Sequence, residues 1–182
     1  PLTPAELDTE IKTSPPDKAP GPDGITNRML RAAGPEFKQA LFMMLNTIWH
    51  HDCQPEVWQK SLVQPIFKGG KKDRYCPSSY RAIFLISALA KLFEGLLVTR
   101  LSVYTETNNT LTDNQIGTRS NRQTHDAIYS LLALIQKNKY IDNNPTYVAF
   151  IDYTTAYPSV FRDGLCQELF KQGIRGRMWT HL

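Results

Sequence analysis

Residues 146–160 read Thr146-Tyr147-Val148-Ala149-Phe150-Ile151-Asp152-Tyr153-Thr154-Thr155-Ala156-Tyr157-Pro158-Ser159-Val160. An apolar run without a break, Tyr147 to Ile151, ends on a carboxylate. Such a run, bounded by turn residues, predicts a strand over 146–152, central in its sheet and covered on both faces. Asp152 then stands at the strand's exit, held by a rigid element and open to a cleft. Hard cations such as Mg²⁺ take oxygen ligands of this kind. An aspartate at the end of a strand is otherwise an ordinary turn residue, so the neighbouring segments have to decide.

Upstream, Thr124 reads as the cap of a helix that buries Ile128, Leu131, Leu132 and Ile135, preceded by a polar loop over 105–123. Ser87 caps an earlier helix whose apolar side carries Leu89, Leu92, Phe93, Leu96, Leu97, Leu101 and Tyr104. Two strands precede it, 61–67 and 80–86, with Pro65 marking an edge or a bulge. The polar, basic loop from Gly69 to Ser79 joins them into a hairpin with a long connection. A helix from Pro35 to about His51 presents Phe37, Leu41, Met44, Leu45 and Ile48 at helical spacing. Residues 25–33 form a short helix ended by Gly34. Ser14–Gly24 holds four prolines and two glycines in eleven residues, which predicts a rigid loop. Thr3-Pro4-Ala5-Glu6 is a capping box that starts a helix to about Lys12. Beyond Asp152, Pro158 opens a new segment, with a helix over about 159–172 before Gly173. Helices and strands together place the chain among α/β or α+β folds.

The 182 residues, 41% hydrophobic and 21% charged, suffice for a core and exclude wholesale disorder. No apolar run approaches the roughly 18 residues of a membrane span, and no leader pattern opens the chain. The first residue is Pro1, which reads as an excised or incomplete sequence. Three distant cysteines, Cys53, Cys76 and Cys166, argue against a disulfide scaffold or a zinc site and for a reducing, intracellular compartment. His50-His51-Asp52-Cys53 is a poor metal cluster, because adjacent residues at a helix end point in different directions. The net charge is +4, unevenly spread. Residues 60–81 carry Lys60, Lys68, Lys71, Lys72, Arg74 and Arg81 against Asp73 alone, net +5. A solvated loop is the plain reading; a binding patch for a nucleotide or a nucleic acid is the functional one.

The segments taken together favour the functional reading. Phe150 to Val160 resembles the first catalytic motif of reverse transcriptases, F-x-D-x-x-x-A-[FY]-x-x-V. Lys18-Ala-Pro-Gly-Pro-Asp-Gly-Ile25 is similar to the K-x-P-G-x-D-G element that precedes the fingers in non-LTR retrotransposons. Pro65-Ile-Phe-Lys68-Gly-Gly-Lys71 with Tyr80-Arg81-Ala-Ile83 is similar to their fingers hairpin, and Lys91 to Leu101 to the helix after it. Gln115-Ile-Gly117 with Arg119, Arg122 and Thr124 resembles their Q-x-G-F…R-x-T segment. Gly164-Leu165, Leu169 and Gly173-Ile174 match the helix after the catalytic motif. These motifs stand in register over about 14–180, so the chain resembles the N-terminal part of a LINE-type reverse transcriptase domain.

The resemblance implies an α+β fold made of right-hand polymerase fingers and a partial palm, truncated before the Y-x-D-D hairpin. Residues 1–34 would be an N-terminal extension, 35–145 the fingers-like region with its basic hairpin at about 61–86, and 146–182 the start of the palm. It implies RNA-directed DNA synthesis, in which two divalent metals join a primer 3′-hydroxyl to a dNTP. Asp152 matches the first catalytic carboxylate, and the backbone carbonyl of Tyr153 would join the metal shell. The cofactor implied is Mg²⁺, with Mn²⁺ as an alternative. Lys68 and Arg81 match residues that contact the incoming triphosphate; Tyr157 matches the ring that excludes a ribose 2′-hydroxyl. Lys71, Lys72 and Arg74 would attract phosphate, and Gln115, Gly117, Arg119 and Arg122 would line the template path. The implied partners are an RNA template, a DNA primer, dNTPs and the missing C-terminal palm and thumb, with no membrane; the location implied is nucleus and cytoplasm. Pro158, Thr118 and Ala82 depart from the family pattern. A non-catalytic nucleic-acid-binding remnant, or a maturase-type or cellular reverse transcriptase, stays open as an alternative.

Overall fold

A computed structural model describes residues 1–153 and 156–182. Seven helices and two strands follow one another among these residues: α1 (Pro4–Thr13), α2 (Asn27–Ala32), α3 (Pro35–His51), β1 (Leu62–Phe67), β2 (Tyr80–Leu85), α4 (Ala88–Thr107), α5 (Thr124–Tyr140), α6 (Arg162–Lys171) and α7 (Gly176–Thr180). Two compact units divide the chain, Pro1–Arg100 with Arg175–Leu182, and Leu101–Ile174. No helix among the described residues is long and apolar enough to cross a membrane.

The first unit has the core. Leu7 and Ile11 of α1, Leu41, Leu45, Ile48 and Trp49 of α3, and Leu92, Phe93, Leu96 and Leu97 of α4 form one buried cluster, which Trp58 joins from a 3₁₀ turn at Glu56–Gln59. The helix starts follow the sequence. In the capping box of α1, the Thr3 amide donates to Glu6 Oε2 at 2.7 Å and the Glu6 amide to Thr3 Oγ1 at 3.3 Å. Pro35 occupies the first turn of α3, where its missing N–H costs nothing. Asp52 ends α3 in the left-handed region, φ 53°. From α7 onward, the buried His181 ring stacks on Trp49 at 5.2 Å and meets Phe93 edge-on at 5.4 Å.

Arg100 ties α4 to α1. Its Nε and Nη2 donate to the two Glu6 oxygens at 2.7 and 2.9 Å, Nη2 also to the Pro1 carbonyl, and its guanidinium lies over Trp49, 5.2 Å from the ring centre. The Arg100 guanidinium beside it holds the Glu6 carboxyl down at about 2. Burial pushes the carboxyls of Glu10 and Glu94 the other way, upward.

In the second unit, Gly173 (φ 96°) brings the backbone to Tyr104, whose hydroxyl donates to the Gln172 carbonyl at 3.0 Å. α5 differs from the sequence expectation in two ways. Its cap is Gln123, one residue before Thr124, paired with Asp126 in a capping box. None of its apolar residues is fully buried: Ile128 and Leu132 stand in solvent, and Leu131 and Ile135 are half-buried. The strand expected over 146–152 is not formed either; Tyr147, Phe150 and Ile151 are exposed. A strand exists through its ladder partners, and the two strands among the described residues pair only with each other. Periodicity reports an apolar face, not what covers it.

Replacing Glu6 by Gln should cost about 2 kcal/mol of stability at neutral pH, allowing for partial solvent screening of the ion pair. The folded pKa lies below the unfolded one, so the contribution is present above pH 4.5 and is lost as pH falls towards about 2. Urea denaturation of both forms across that window should show the two curves converging at its acid end.

Candidate functional site

The basic window forms the hairpin expected from the sequence. β1 and β2 pair antiparallel, with Ile66 opposite Arg81 and Phe67 opposite Tyr80. The ladder continues one step, the Lys68 amide donating to the Ser79 carbonyl at 2.8 Å. Because successive side chains alternate between faces, Lys68 leaves on the same face as Ile66 and therefore as Arg81. Gly69 (φ 76°) and Gly70 (φ 70°) then turn the chain through two left-handed residues in succession, which side chains with a Cβ strongly resist. On the opposite face Phe67 and Tyr80 rings meet at 5.4 Å, the Arg74 guanidinium covers Phe67 at 5.2 Å, and the Tyr80 hydroxyl donates to the Arg74 carbonyl. The sequence placed Arg74 with Lys71 and Lys72; the structure sets it on an aromatic ring, while both lysines stand exposed in the loop.

Among the described residues no carboxylate pairs with Lys68 or Arg81. Lys68 Nζ donates to the Ser78 carbonyl at 2.7 Å. Arg81 is exposed, and no ion pair engages it among the described residues. Two cations on one hairpin face, one on a flexible stem and one a planar fork, make a surface able to take phosphate oxygens.

The segment Gln115–Arg122 is built differently. Arg119 donates to both Glu106 oxygens at 2.9 and 2.7 Å and to the Thr112 and Gln115 carbonyls; its side chain is nine-tenths buried. This pairing holds the Glu106 carboxyl below the usual range. Arg122 pairs with Asp113 at 3.0 Å. Both guanidinium groups thus organise the loop between α4 and α5. Gln115 and Gly117 are exposed, and Gly117 has open space where a side chain would project. A cleft of about 580 Å³ opens here, lined by Ile116, Gly117, Thr118, Arg122, Gln123 and His125 among others.

Asp152, Tyr153 and Tyr157 are exposed. Thr154 and Thr155, between Asp152 and Tyr157 in the motif, lie outside the described residues. Beyond them, Ser159 and Val160 amides donate to the Ala156 and Tyr157 carbonyls. No group of three or more acidic, imidazole or thiol side chains that could hold a metal gathers among the described residues. One carboxylate does not complete a divalent cation's shell of about six oxygens, so the residues described here do not by themselves fit the ion.

Residues 68–182 match the family described as "Reverse transcriptase (RNA-dependent DNA polymerase)". The chain belongs to this reverse transcriptase family. It is 31% identical over 94% of its length to a protein of Drosophila melanogaster named "Probable RNA-directed DNA polymerase from transposon BS", covering 19% of that protein. It is 28% identical to the "Probable RNA-directed DNA polymerase from transposon X-element" and 27% to the "RNA-directed DNA polymerase from mobile element jockey" of the same species. These matches cover 91% and 90% of this chain and 18% of each relative. The chain thus spans about a fifth of the length of these relatives.

Sequence reasoning missed the residues that fix the loops, Arg31, Arg100 and Arg119 as pins and Asp23 with Ser87. The partners Ile11 of Arg31, Glu6 of Arg100, Glu106 of Arg119 and Ser87 of Asp23 lie 13 to 94 positions away in sequence, where no local pattern pairs them.

If the hairpin carries binding, a Lys68, Lys71, Lys72 and Arg74 quadruple alanine variant should bind single-stranded RNA with a salt slope shallower by about 2 to 3. Arg74→Ala alone should alter the slope least of the four, since its charge rests on Phe67. Fluorescence anisotropy between low and moderate salt measures the slope, and an unchanged slope places the binding surface elsewhere.

Proposed function

We propose that this chain is the fingers and the start of the palm of an RNA-directed DNA polymerase of the non-LTR retrotransposon type. The polymerase adds dNTPs to a primer 3′-hydroxyl by two-metal phosphoryl transfer, copying an RNA template in the nucleus or cytoplasm. In this reading residues 1–34 are the N-terminal extension, 35–145 the fingers-like region and 146–182 the start of the palm. The observation that carries it is the pair Lys68 and Arg81, two cations on one hairpin face with no ion pair among the described residues, both inside the segment that matches the family.

The roles follow from the chemistry of the side chains. Arg81 offers paired N–H donors and Lys68 a mobile point charge, which together would orient the triphosphate. Lys68 has only a neutral carbonyl to leave. Tyr157, exposed and five residues beyond Asp152, supplies the bulk that would reject a 2′-hydroxyl by clash. Asp152, with the Tyr153 carbonyl, would give part of the shell for Mg²⁺ or Mn²⁺. The remaining ligands would come from elsewhere in the polymerase. Gln115 and Gly117 face solvent and would meet the template, with Arg119 and Arg122 holding their loop. The second reading is a non-catalytic nucleic-acid-binding remnant, which the exposed basic hairpin serves equally.

The purified 182-residue chain should show no primer extension with Mg²⁺ or Mn²⁺. In a full-length polymerase carrying this segment, Asp152→Ala should abolish synthesis; persistent synthesis would show that Asp152 is not the catalytic carboxylate, whereas a parent protein without synthesis would favour the remnant reading. In the same protein Tyr157→Ala should raise NTP relative to dNTP incorporation by tenfold or more, about 1.4 kcal/mol of lost discrimination, while Tyr157→Phe keeps it. Single-nucleotide insertion, read as kcat/KM for each sugar, is the measurement.

A further inference from the structure

The hairpin that carries Lys68 and Arg81 does not fix its own direction. Leu62, Val63, Ile66, Ile83 and Phe84 are exposed, and neither strand has a fully buried residue. A two-stranded hairpin without a packed face is marginal in water. Its orientation is set where its two ends join the rest of the unit, after the buried Trp58 ahead of β1 and at Ile86 and Ser87 between β2 and α4.

The junction at Ile86 and Ser87 is gripped by the loop rich in proline and glycine. Ser87, 1% exposed, donates from Oγ to Asp23 Oδ2 at 2.6 Å. The same Oγ accepts the Leu89 amide at 3.1 Å, so one hydroxyl caps α4 and binds the loop. The other Asp23 oxygen accepts the Ile25 amide at 3.1 Å, closing a local turn. Gly21 is buried against the junction: a Cβ there would lie 2.4 Å from the Ile86 carbonyl carbon and 2.6 Å from the Ser87 nitrogen, both backbone atoms that cannot swing aside. The loop is anchored at its other end. Arg31 donates to the Ile11, Lys12 and Ser14 carbonyls at the end of α1, and Asn27 Nδ2 to the Pro15 carbonyl at 2.8 Å. Four prolines between these anchors restrict the backbone before any contact forms.

We propose that residues 18–25 are a clasp on the hairpin's base, and that Gly21 and Asp23, through Ser87, are positioning residues for Lys68 and Arg81. The clasp rests on the triphosphate reading above only in its functional consequence; the mechanical part stands on the contacts just given.

Hydrogen exchange by mass spectrometry and steady-state dNTP kinetics, both on the full-length polymerase carrying this segment, test it. Asp23→Ala should accelerate exchange in β1 and β2 about tenfold, the scale of a lost hydrogen bond to a charged group, with α3 unchanged. It should raise KM for dNTP by a similar factor and leave kcat within about twofold, since the reacting atoms are untouched. Gly21→Ala should act the same way by steric displacement. Ser87→Ala should reproduce Asp23→Ala, and the double variant should go no further than the larger single one; if Asp23→Ala fails to fold, Ser87→Ala carries the test. Unchanged exchange in the hairpin, or additive effects of the two substitutions, overturns the clasp. Faster exchange with an unchanged KM, in a protein where Lys68→Ala raises KM, overturns the positioning role. Should Lys68→Ala leave KM unchanged as well, the triphosphate reading is what has failed, and the exchange data alone decide the clasp.

Discussion

Ser87 is the point on which the described structure turns. It is the last residue before α4 and lies just past the end of β2, and its hydroxyl serves both: it caps the helix through the Leu89 amide and donates to Asp23. A buried hydroxyl left unpaired costs free energy, so Asp23 is needed at this spot wherever Ser87 is enclosed. The carboxylate also lies at the start of a twenty-residue helix, where the helix dipole favours negative charge. One short hydrogen bond thereby couples the first helix region, the core helix and the exposed hairpin, three parts whose sequences are far apart.

The first unit shows two ways of holding a surface in place. Where apolar residues converge, as among α1, α3 and α4, burial does it and ion pairs only align the pieces; Glu6 and Arg100 fix the registry of α1 on α4 in this way. Where they do not converge, polar contacts to backbone replace burial. Arg31 is exposed, and three carbonyls at the end of α1 converge on its guanidinium. Those carbonyls lack helical donors of their own, and the arginine satisfies them while it fixes the loop.

Local chemistry made much of this fold legible from the sequence. The capping box at Thr3, the proline at the start of α3 and the cap at Ser87 each depend on residues a few positions apart, the hairpin on two strands consecutive in sequence, and each stands where the sequence put it. What stayed hidden depends on partners. The run from Tyr147 to Ile151 has the composition of a buried strand, but composition carries no information about which edge it will join. Ile128 and Leu132 repeat at helical spacing for the same reason and remain uncovered. The site was legible as a set of residue types and only partly as geometry. The charge window held Lys68, Arg74 and Arg81 together, and the resemblance set Lys68 and Arg81 apart from Arg74, which it placed with Lys71 and Lys72. The ladder register, which no charge count contains, puts Lys68 and Arg81 on one face and Arg74 on a ring across the other.

Charge balance separates the basic residues further. Arg119 faces a carboxylate through two hydrogen bonds and is enclosed, so its charge is already matched; drawing it towards another anion would strand Glu106. Lys68 faces a peptide carbonyl, a neutral acceptor that water can replace at small cost. The two therefore differ in what a phosphate would have to displace. At Arg119 it competes with a bidentate ion pair; at Lys68 with one neutral hydrogen bond that solvent already reaches. Residues that look alike in a motif are in this way divided by their neighbours into those that build the surface and those that are left to use it, and a basic side chain belongs to the second group when its nearest partner carries no charge.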